Sequence, residues 1–134
     1  MAQKCGKQSE SDVEKMRNQI SGYFSSHLNK DTIAFVAKDG EEIISVVVLI
    51  IHERPANPTC IKGKIGEVMS VYTKPEHRRK GYALKLVTML TEYALLHQID
   101  RVDLLATKMG YPVYLKAGFT ETKSDYVSMR FNQK

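Results

Sequence analysis

The stretch VYTKPEHRRKGYAL, residues 71 to 84, carries the pattern that decides the fold. Its first three residues are the end of a strand predicted over Lys64 to Thr73. A charged loop from Pro75 to Lys80 follows, and then a helix pattern from Gly81 to His97 with apolar residues at helical spacing. The stretch therefore predicts a strand, a loop and a long helix in direct succession.

The loop and the helix start form a candidate anion site. The first four N–H groups of a helix have no partner within the helix, and the helix dipole favours negative charge there. Gly81 allows the backbone to approach an anion closely, and Ala83 is too small to obstruct it. Arg78, Arg79 and Lys80 add charge. The pattern predicts a loop from Pro75 to Ala83 that cradles phosphate, with a solvated basic loop as the alternative.

The rest of the chain divides into short elements on either side of this stretch. Before it, the patterns predict a helix from Ser11 to about Leu28-Asn29, a strand over Thr32 to Ala37, a turn at Asp39-Gly40 and a central strand over Ile43 to His52. After it, they predict a strand over Val102 to Ala106, a helix over Met109 to Lys116 capped by Gly118, and an antiparallel pair over Phe119 to Thr122 and Tyr126 to Phe131.

This order predicts an α/β (mixed α+β) domain. A strand, a long helix and another strand imply one central parallel crossover in a mostly antiparallel mixed sheet, with helices on both faces. In a regular strand, Glu67, Met69 and Val71 share one face, and a bulge would change that assignment. Residues 1 to 10 are expected to be a flexible tail, and residues 11 to 134 a single domain.

Two motifs resemble the GNAT superfamily of N-acetyltransferases, in particular its small bacterial-type members. Arg78, Gly81 and Ala83 fill the pyrophosphate motif of that family, which is Arg or Gln, two residues, Gly, one residue, then Gly or Ala. Downstream, the stretch YPVYLKAGF over residues 111 to 119 is similar to the family's Leu-Tyr-x-Lys-x-Gly-Phe segment, with Val113 in the Leu position. The match extends over about Thr32 to Phe131.

The resemblance implies a function and a set of site residues. It implies that acetyl-CoA is the acyl donor and that an amine attacks it directly, without a metal. The backbone from Arg79 to Ala83 is expected to bind the pyrophosphate, and the strand end at Val71 to Thr73 to pair with the pantetheine arm. Tyr114 matches the usual general acid, and Glu67 the base used by histone-acetylating members. The full predicted cofactor site comprises Val71, Tyr72, Thr73, Arg78, Arg79, Lys80, Gly81, Tyr82, Ala83 and Leu84.

The need for a base depends on the acceptor. A lysine-type amine, with a pKa near 10.4, is only about 0.04% neutral at pH 7, whereas an α-amine is about ten per cent neutral. Glu67 would therefore matter greatly for the first and little for the second, and a solvated strand glutamate is the competing interpretation. The acceptor stays open between a polyamine, an antibiotic, an amino acid, a peptide N-terminus and a protein lysine.

Composition and residue spacing limit the possible ligands, metal sites and cellular location of the protein. The formal net charge of +5 suits an anionic ligand, but no recognition helix or stacking pattern favours nucleic acid. The four histidines lack metal-ligand spacing, and two cysteines, Cys5 and Cys60, are too few for a disulfide framework. With no long apolar segment and no signal-peptide pattern, a cytoplasmic protein without membrane contact is expected. A non-catalytic acyl-CoA-binding module is the main alternative function.

Two departures from the family are visible. The first strand of the family has no counterpart before the first helix, which leaves the strand at Thr32 as a potential sheet edge and predicts a homodimer. Gln98 stands where a glycine often caps the long helix. Tyr111, Tyr126 and Met129 could line the acceptor pocket or pack in the core. Thr107 and Lys108 follow a strand end, and no role is assigned to either.

Overall fold

A computed structural model describes residues 9 to 133. Its helices are α1 (Glu10–His27), α2 (Tyr82–Leu96) and α3 (Tyr111–Lys116). Its strands are β1 (Thr32–Asp39), β2 (Glu42–Glu53), β3 (Lys64–Thr73) and β4 (Arg101–Asp103), and a single 3₁₀ turn spans Pro75–His77.

The four strands form one mixed sheet in the order β1-β2-β3-β4. The first three are antiparallel, and β3 and β4 are parallel, connected through α2. β2 is interior as predicted, because its apolar run fills both faces; Ile44, Val47, Val48 and Leu49 are all buried. The predicted α/β fold class, with a mixed sheet and one parallel crossover, is confirmed.

The core lies between α2 and one face of the sheet. Leu86, Val87 and Leu90 of α2 pack against Val47 and Leu49 of β2, and all five are nearly or completely buried. They recur at helical spacing on α2 and at every second position on β2, so each element turns one apolar face to the other. This layer sets the position of the α2 N-terminus relative to the sheet.

Helix α1 lies against the sheet only loosely. It begins one residue before its predicted start, because Ser9 and not Ser11 is the cap; the Ser9 side chain accepts a hydrogen bond from the Asp12 N–H. The helix buries none of its residues. Tyr23 bonds to the Thr32 hydroxyl at 2.5 Å, and Thr32 points away from the α2 side of β1. The two helices thus lie on opposite faces. Residues 1 to 8, which include most of the predicted tail and Cys5, lie outside the described part.

A bulge in β3 corrects the predicted face assignment. Val48 pairs with Ser70 and Leu49 with Val68, so Met69 is an extra residue. Val68 and Val71 both pack on the α2-side core, whereas Met69 is 54% exposed. Val71 therefore does not share a face with Glu67. The bulge turns the far half of β3 while it keeps apolar residues in the core.

The first hairpin turn is shifted by one residue from its predicted position. Asp39 pairs with Glu42, so the two loop residues are Gly40 and Glu41 and not Asp39-Gly40. Gly40 has φ +64°, a conformation that glycine adopts without penalty.

The predicted C-terminal strand pair is wrong for this structure. From Phe119 to residue 133 the chain forms neither helix nor strand, and Tyr126, Val127, Met129 and Phe131 are all more than 80% exposed. Alternating apolar residues show that a segment can form a strand, but a two-stranded hairpin without packing is only marginally stable. The core-packing interpretation of Tyr126 and Met129 fails for the same reason.

Candidate active site

The sheet forks between β3 and β4. Their parallel pairing covers only Ile65 to Glu67 against Arg101 to Asp103. The strand predicted to reach Ala106 ends at Asp103, so beyond this point β3 continues without β4 beside it. The opening leaves the main chain of Val71 to Thr73 unpaired on its β4 side among the described residues.

The loop that follows β3 is held against the strand by Arg78. Its Nε donates to the Thr73 carbonyl at 2.8 Å, and its guanidinium lies 5.6 Å from the centre of the Tyr72 ring. The predicted charge partner of a phosphate is thus also an anchor that fixes the loop. Arg79, next in sequence, has φ +64°, a conformation that costs a non-glycine residue about 1–2 kcal/mol. Such strain often accompanies a functional constraint.

The backbone between this loop and α2 offers unsatisfied donors. Hydrogen bonding of main-chain N–H groups stops at Arg78, which donates to Pro75, and resumes at Lys85, which donates to Gly81. Gly81 is the N-cap of α2 with φ +85°, and a Cβ built there meets nothing within 4 Å. The N–H groups of the intervening residues and the positive end of the fifteen-residue helix therefore meet at an open surface. This arrangement suits a diphosphate.

One cavity of about 580 Å³ brings most of the predicted site together. Predicted residues on its walls are Val71, Tyr72, Thr73, Arg78, Arg79, Gly81, Tyr82, Ala83, Leu84 and Tyr114. Lys80 is exposed and does not line it. The two motifs, thirty residues apart in the sequence, thus face one another across a single space.

The opposite wall contains residues that the sequence did not assign. They are Thr107, Met109, Gly110, Val113 and Lys116; His77, which precedes Arg78 on the loop side, is a further unassigned lining residue. Thr107 organises this wall, because its hydroxyl accepts from the Gly110 N–H at 3.1 Å and its carbonyl from the Tyr111 N–H at 2.9 Å. For the residues from Thr107 to Lys116 the available signal was their position after β4, the second parallel strand of the crossover, because ligand contacts gather at such strand ends.

Tyr114 extends from α3 into this cavity and packs against the α2-side core. Gly118, with φ +101°, ends the helix as predicted, and the Phe119 N–H bonds to the Tyr114 carbonyl at 2.9 Å. Burial raises the pKa of the Tyr114 phenol above its ordinary value of 10.0, because the charged form would be poorly solvated. Tyr114 is therefore protonated throughout the neutral range, as a proton donor must be.

Glu67 lies elsewhere, on the sheet face opposite α2. Its neighbour Gly66 faces the α2 side, where a Cβ would meet Leu49 at 2.8 Å, and the alternation places Glu67 on the other face. Its Oε1 is 2.9 Å from the Nε2 of His52 on β2. It is also the last β3 residue paired with β4, opposite Asp103. Glu67 thus stands at the fork but does not line the cavity of Tyr114.

A second cavity of about 700 Å³ adjoins the fork on the side of the C-terminal segment. Tyr114 lines it as well, together with Tyr111, Asp103 and Glu121, and the Tyr111 hydroxyl donates to the Glu121 carboxylate. Of the three residues considered for an acceptor pocket, Tyr111 is therefore at a cavity, whereas Tyr126 and Met129 are not among its lining residues.

Two further observations concern residues 9 to 133. Within this range, no three His, Cys, Asp or Glu side chains are grouped so that they could hold a metal ion. Each helix in the same range falls short, in length or in apolar character, of what a bilayer crossing requires.

The fork, the glycine-capped helix and the tyrosine opposite it define an acyltransferase-type site, and comparison with known families agrees. The sequence model of the acetyltransferase (GNAT) family matches residues 4–119. The chain belongs to this family. No match was found among curated proteins.

Solved structures show the same fold. One is a crystal structure of a predicted acetyltransferase with acetyl-CoA from Clostridium acetobutylicum, at 25% identity and a TM-score of 0.75, covering 93% of this chain and 79% of that chain. Glucosamine-6-phosphate N-acetyltransferase from Arabidopsis thaliana has 19% identity and a TM-score of 0.63, covering 96% and 83%. An aminoglycoside 6'-N-acetyltransferase from Acinetobacter haemolyticus has 19% identity and a TM-score of 0.59, covering 96% and 86%.

Proposed function

We propose that this protein transfers an acetyl group from acetyl-CoA to a primary amine by direct attack of the amine. The observation that carries the proposal is the single cavity that joins the donor-rich N-terminus of α2 to Tyr114. Family membership supports an acetyl donor, and a similar structure contains acetyl-CoA. When bound, acetyl-CoA supplies a thioester as the electrophile.

The phosphate end of the site is assigned to the loop and the helix start. The N–H groups from Arg79 to Ala83 donate to the diphosphate, and the dipole of α2 adds to the attraction. Arg78 fixes the loop through Thr73 and contributes positive charge. The unpaired main chain of Val71 to Thr73 accepts the pantetheine arm as an additional strand-like partner.

The chemical end of the site is assigned to Tyr114 and Glu67. Tyr114 donates a proton to the leaving sulfur; a phenol near pKa 10 and a thiol near 8.5 make this uphill by about 2 kcal/mol before burial is considered. That cost is tolerable in a catalysed step. Glu67 is assigned the role of the general base that removes a proton from the amine.

The acceptor is proposed to be a small amine. The similar structures include enzymes named for glucosamine-6-phosphate and for an aminoglycoside, both small molecules that carry amino groups.

Two measurements test the proposal. Calorimetry with acetyl-CoA should give a saturable signal at tens of micromolar ligand, and its absence would disprove the cofactor assignment. A thiol-release assay over a panel of amines should then identify accepted amines by turnover. Binding without turnover on every amine would instead support a non-catalytic acyl-CoA-binding module.

A further inference from the structure

The cavity between the loop before α2 and helix α3 has basic residues on both of its walls. Arg78 and Arg79 line it on the loop side, together with His77, and Lys116 lines it on the opposite wall. Among the described residues that line this cavity, none is Asp or Glu. Both walls therefore attract an anionic ligand.

The cations of this cavity differ in whether they already have a partner. The Arg78 Nε donates to the Thr73 carbonyl at 2.8 Å and thereby holds the loop. Within residues 9 to 133, the side chains of Arg79 and Lys116 take part in no ion pair and donate no hydrogen bond. Their charged groups are therefore available to a ligand from two sides of the same space.

The spacing of residues on α3 places Lys116 on the cavity wall. Gly110, Val113 and Lys116 are three residues apart, so they share one face of the helix, and all three line the cavity. This face begins beside the Tyr114 ring, which lies 3.0 Å from a Cβ built on Gly110, and it ends at Lys116. The wall thus holds the phenol at one end and an ammonium group at the other.

The proposed donor carries more phosphate than the loop and the helix start can bind. Acetyl-CoA has a diphosphate and, on the adjoining ribose, a separate 3′-phosphate. A phosphate monoester has a second pKa near 6, so its charge at pH 7 is about −1.5 to −2. The N–H groups of the loop and the dipole of α2 are assigned to the diphosphate, and the effect of the dipole falls off within one turn. The 3′-phosphate therefore needs cations of its own.

We propose that the side chains of Arg79 and Lys116 bind the 3′-phosphate of acetyl-CoA between the two walls of the cavity. This inference rests on the proposed function and extends it to a group of the donor that the diphosphate loop does not hold. The Arg79 guanidinium and the Lys116 ammonium donate charge-assisted hydrogen bonds to the phosphate oxygens. The backbone N–H of Arg79 stays with the diphosphate, so this residue contacts both phosphate groups.

Lys116 also lies in the last turn of α3, where a cation offsets the negative end of the helix dipole. That effect changes the free energy of unfolding, but it gives no preference between two ligands that differ in one phosphate. Thermal melts of Lys116→Gln and Lys116→Arg measure it, because arginine keeps the positive charge at the helix end. Ligand preference and stability therefore report the two roles separately.

The test compares acetyl-CoA with 3′-dephospho-acetyl-CoA, which lacks only the group that the two side chains are proposed to bind. Calorimetry measures both dissociation constants for the wild type, Arg79→Gln, Lys116→Gln and Lys116→Arg. Lys108→Gln is the matched control, because Lys108 is exposed between two lining residues and does not itself line the cavity. Steady-state kinetics with an accepted amine add kcat and the KM for the donor.

We expect the wild type to bind acetyl-CoA about 30-fold more tightly than the dephospho form, because charge-assisted hydrogen bonds are lost with the phosphate. Arg79→Gln and Lys116→Gln should each weaken acetyl-CoA binding about tenfold and leave the affinity for the dephospho form unchanged. In both variants the KM for acetyl-CoA should rise while kcat stays the same. Lys116→Arg and Lys108→Gln should keep the wild-type preference.

The proposal is overturned if the wild type binds both ligands equally well. It is also overturned if Lys116→Gln weakens both ligands by the same factor, since Lys116 would then act on the diphosphate or on the fold. A loss of preference in Lys108→Gln equal to that in Lys116→Gln would overturn it too, because net charge would then explain the effect. In each of these cases acetyl-CoA binding by the wild type leaves the proposed function standing. If the wild type binds neither ligand, the proposed function fails, and this inference fails with it.

Discussion

At the scale of single residues, backbone conformation and local charge decide what the loop before α2 can bind. Gly81 adopts φ +85° without penalty, and the space in front of it is open. Arg79 adopts φ +64° and bears the strain that glycine avoids. These two backbone conformations leave the N–H groups around them without main-chain acceptors, whereas a regular turn would have paired them within the chain.

Gly81→Ala should weaken acetyl-CoA binding at least tenfold, because the methyl group enters the space that the diphosphate must approach. Gly40→Ala is the matched control, since Gly40 also has a positive φ and nothing within 4 Å of an added Cβ. Both variants should lose about 1 kcal/mol of unfolding free energy to backbone strain. Calorimetry and thermal melts separate the two effects, and equal affinity in both variants would contradict the assigned role of Gly81.

Tyr114→Phe should reduce kcat about 100-fold and leave acetyl-CoA affinity unchanged, because only the proton donor is lost.

The raised pKa of Tyr114 also predicts a pH dependence of the unfolding free energy. The unfolded chain ionises this phenol first, so wild-type stability should fall as the pH rises above about 10. Tyr114→Phe should lose less stability over that interval, measured by urea unfolding at pH 8 and 10.5. Tyr93→Phe, on α2 outside the cavity, should retain wild-type turnover.

At the scale of elements, helix ends and strand ends locate the site. The N-terminus of α2 lies at the cavity because its C-terminal half is packed on the sheet through Leu90 and Ala94. β3 and β4 separate after three pairs, and the bulge at Met69 turns β3 just where they part. The opening therefore results from the divergence of the β3 and β4 backbones, and no single side chain creates it.

The C-terminus of α2 gives a stability prediction. Gln98 follows the helix cap with φ +59°, where the family often has glycine. Gln98→Gly should raise the unfolding free energy by about 0.5 kcal/mol, since relief of left-handed strain outweighs the added chain entropy. The same change at Gln19, exposed within α1, should lower it by about 0.5–1 kcal/mol. Urea unfolding measures both, and a loss of stability in Gln98→Gly would show that the strain is absent.

At the scale of the whole molecule, an outer strand of the sheet offers an edge at which a second chain could pair. β1 is the outermost strand on its side among the described residues, and the C-terminal segment beyond α3 exposes Tyr126, Val127, Met129 and Phe131. An exposed strand edge can pair with a second chain. The homodimer expected from the sequence therefore stays a prediction, with β1 as its proposed contact.

Light scattering at micromolar concentration should give about twice the 15.2 kDa mass of one chain. Val36→Lys on β1 should shift the mass toward the monomer, because a charge on an edge strand disfavours pairing. Met89→Lys on the outer side of α2 is the control, as its side chain is similarly exposed. A monomeric wild type, or equal masses for both variants, would rule out association through β1.

Much of the fold followed from local patterns along the chain. The apolar run of β2 predicted its burial on both faces, the helical spacing predicted α2, and Gly118 predicted the end of α3. Each of these features depends on residues that are close in the sequence, which set the backbone conformation and the solvent exposure. Each can therefore be recognised without knowledge of the tertiary contacts. The predicted phosphate loop also depends on local sequence, because Gly81 and the helix start are adjacent in the chain.

Other features arose only when distant segments packed together. Strand pairing determines three such features, because each depends on which residues of one strand lie beside which residues of the next. They are the Met69 bulge, the early end of β4 and the hydrogen bond between His52 and Glu67. The alternation of apolar and polar residues after Phe119 predicted two strands. A stable strand also needs a neighbouring strand or a packed face, which a local sequence pattern does not supply. Local chemistry along the chain thus predicted the loop before α2, whereas only tertiary packing placed Tyr114 across a cavity from that loop and Glu67 beside His52 on the opposite face of the sheet.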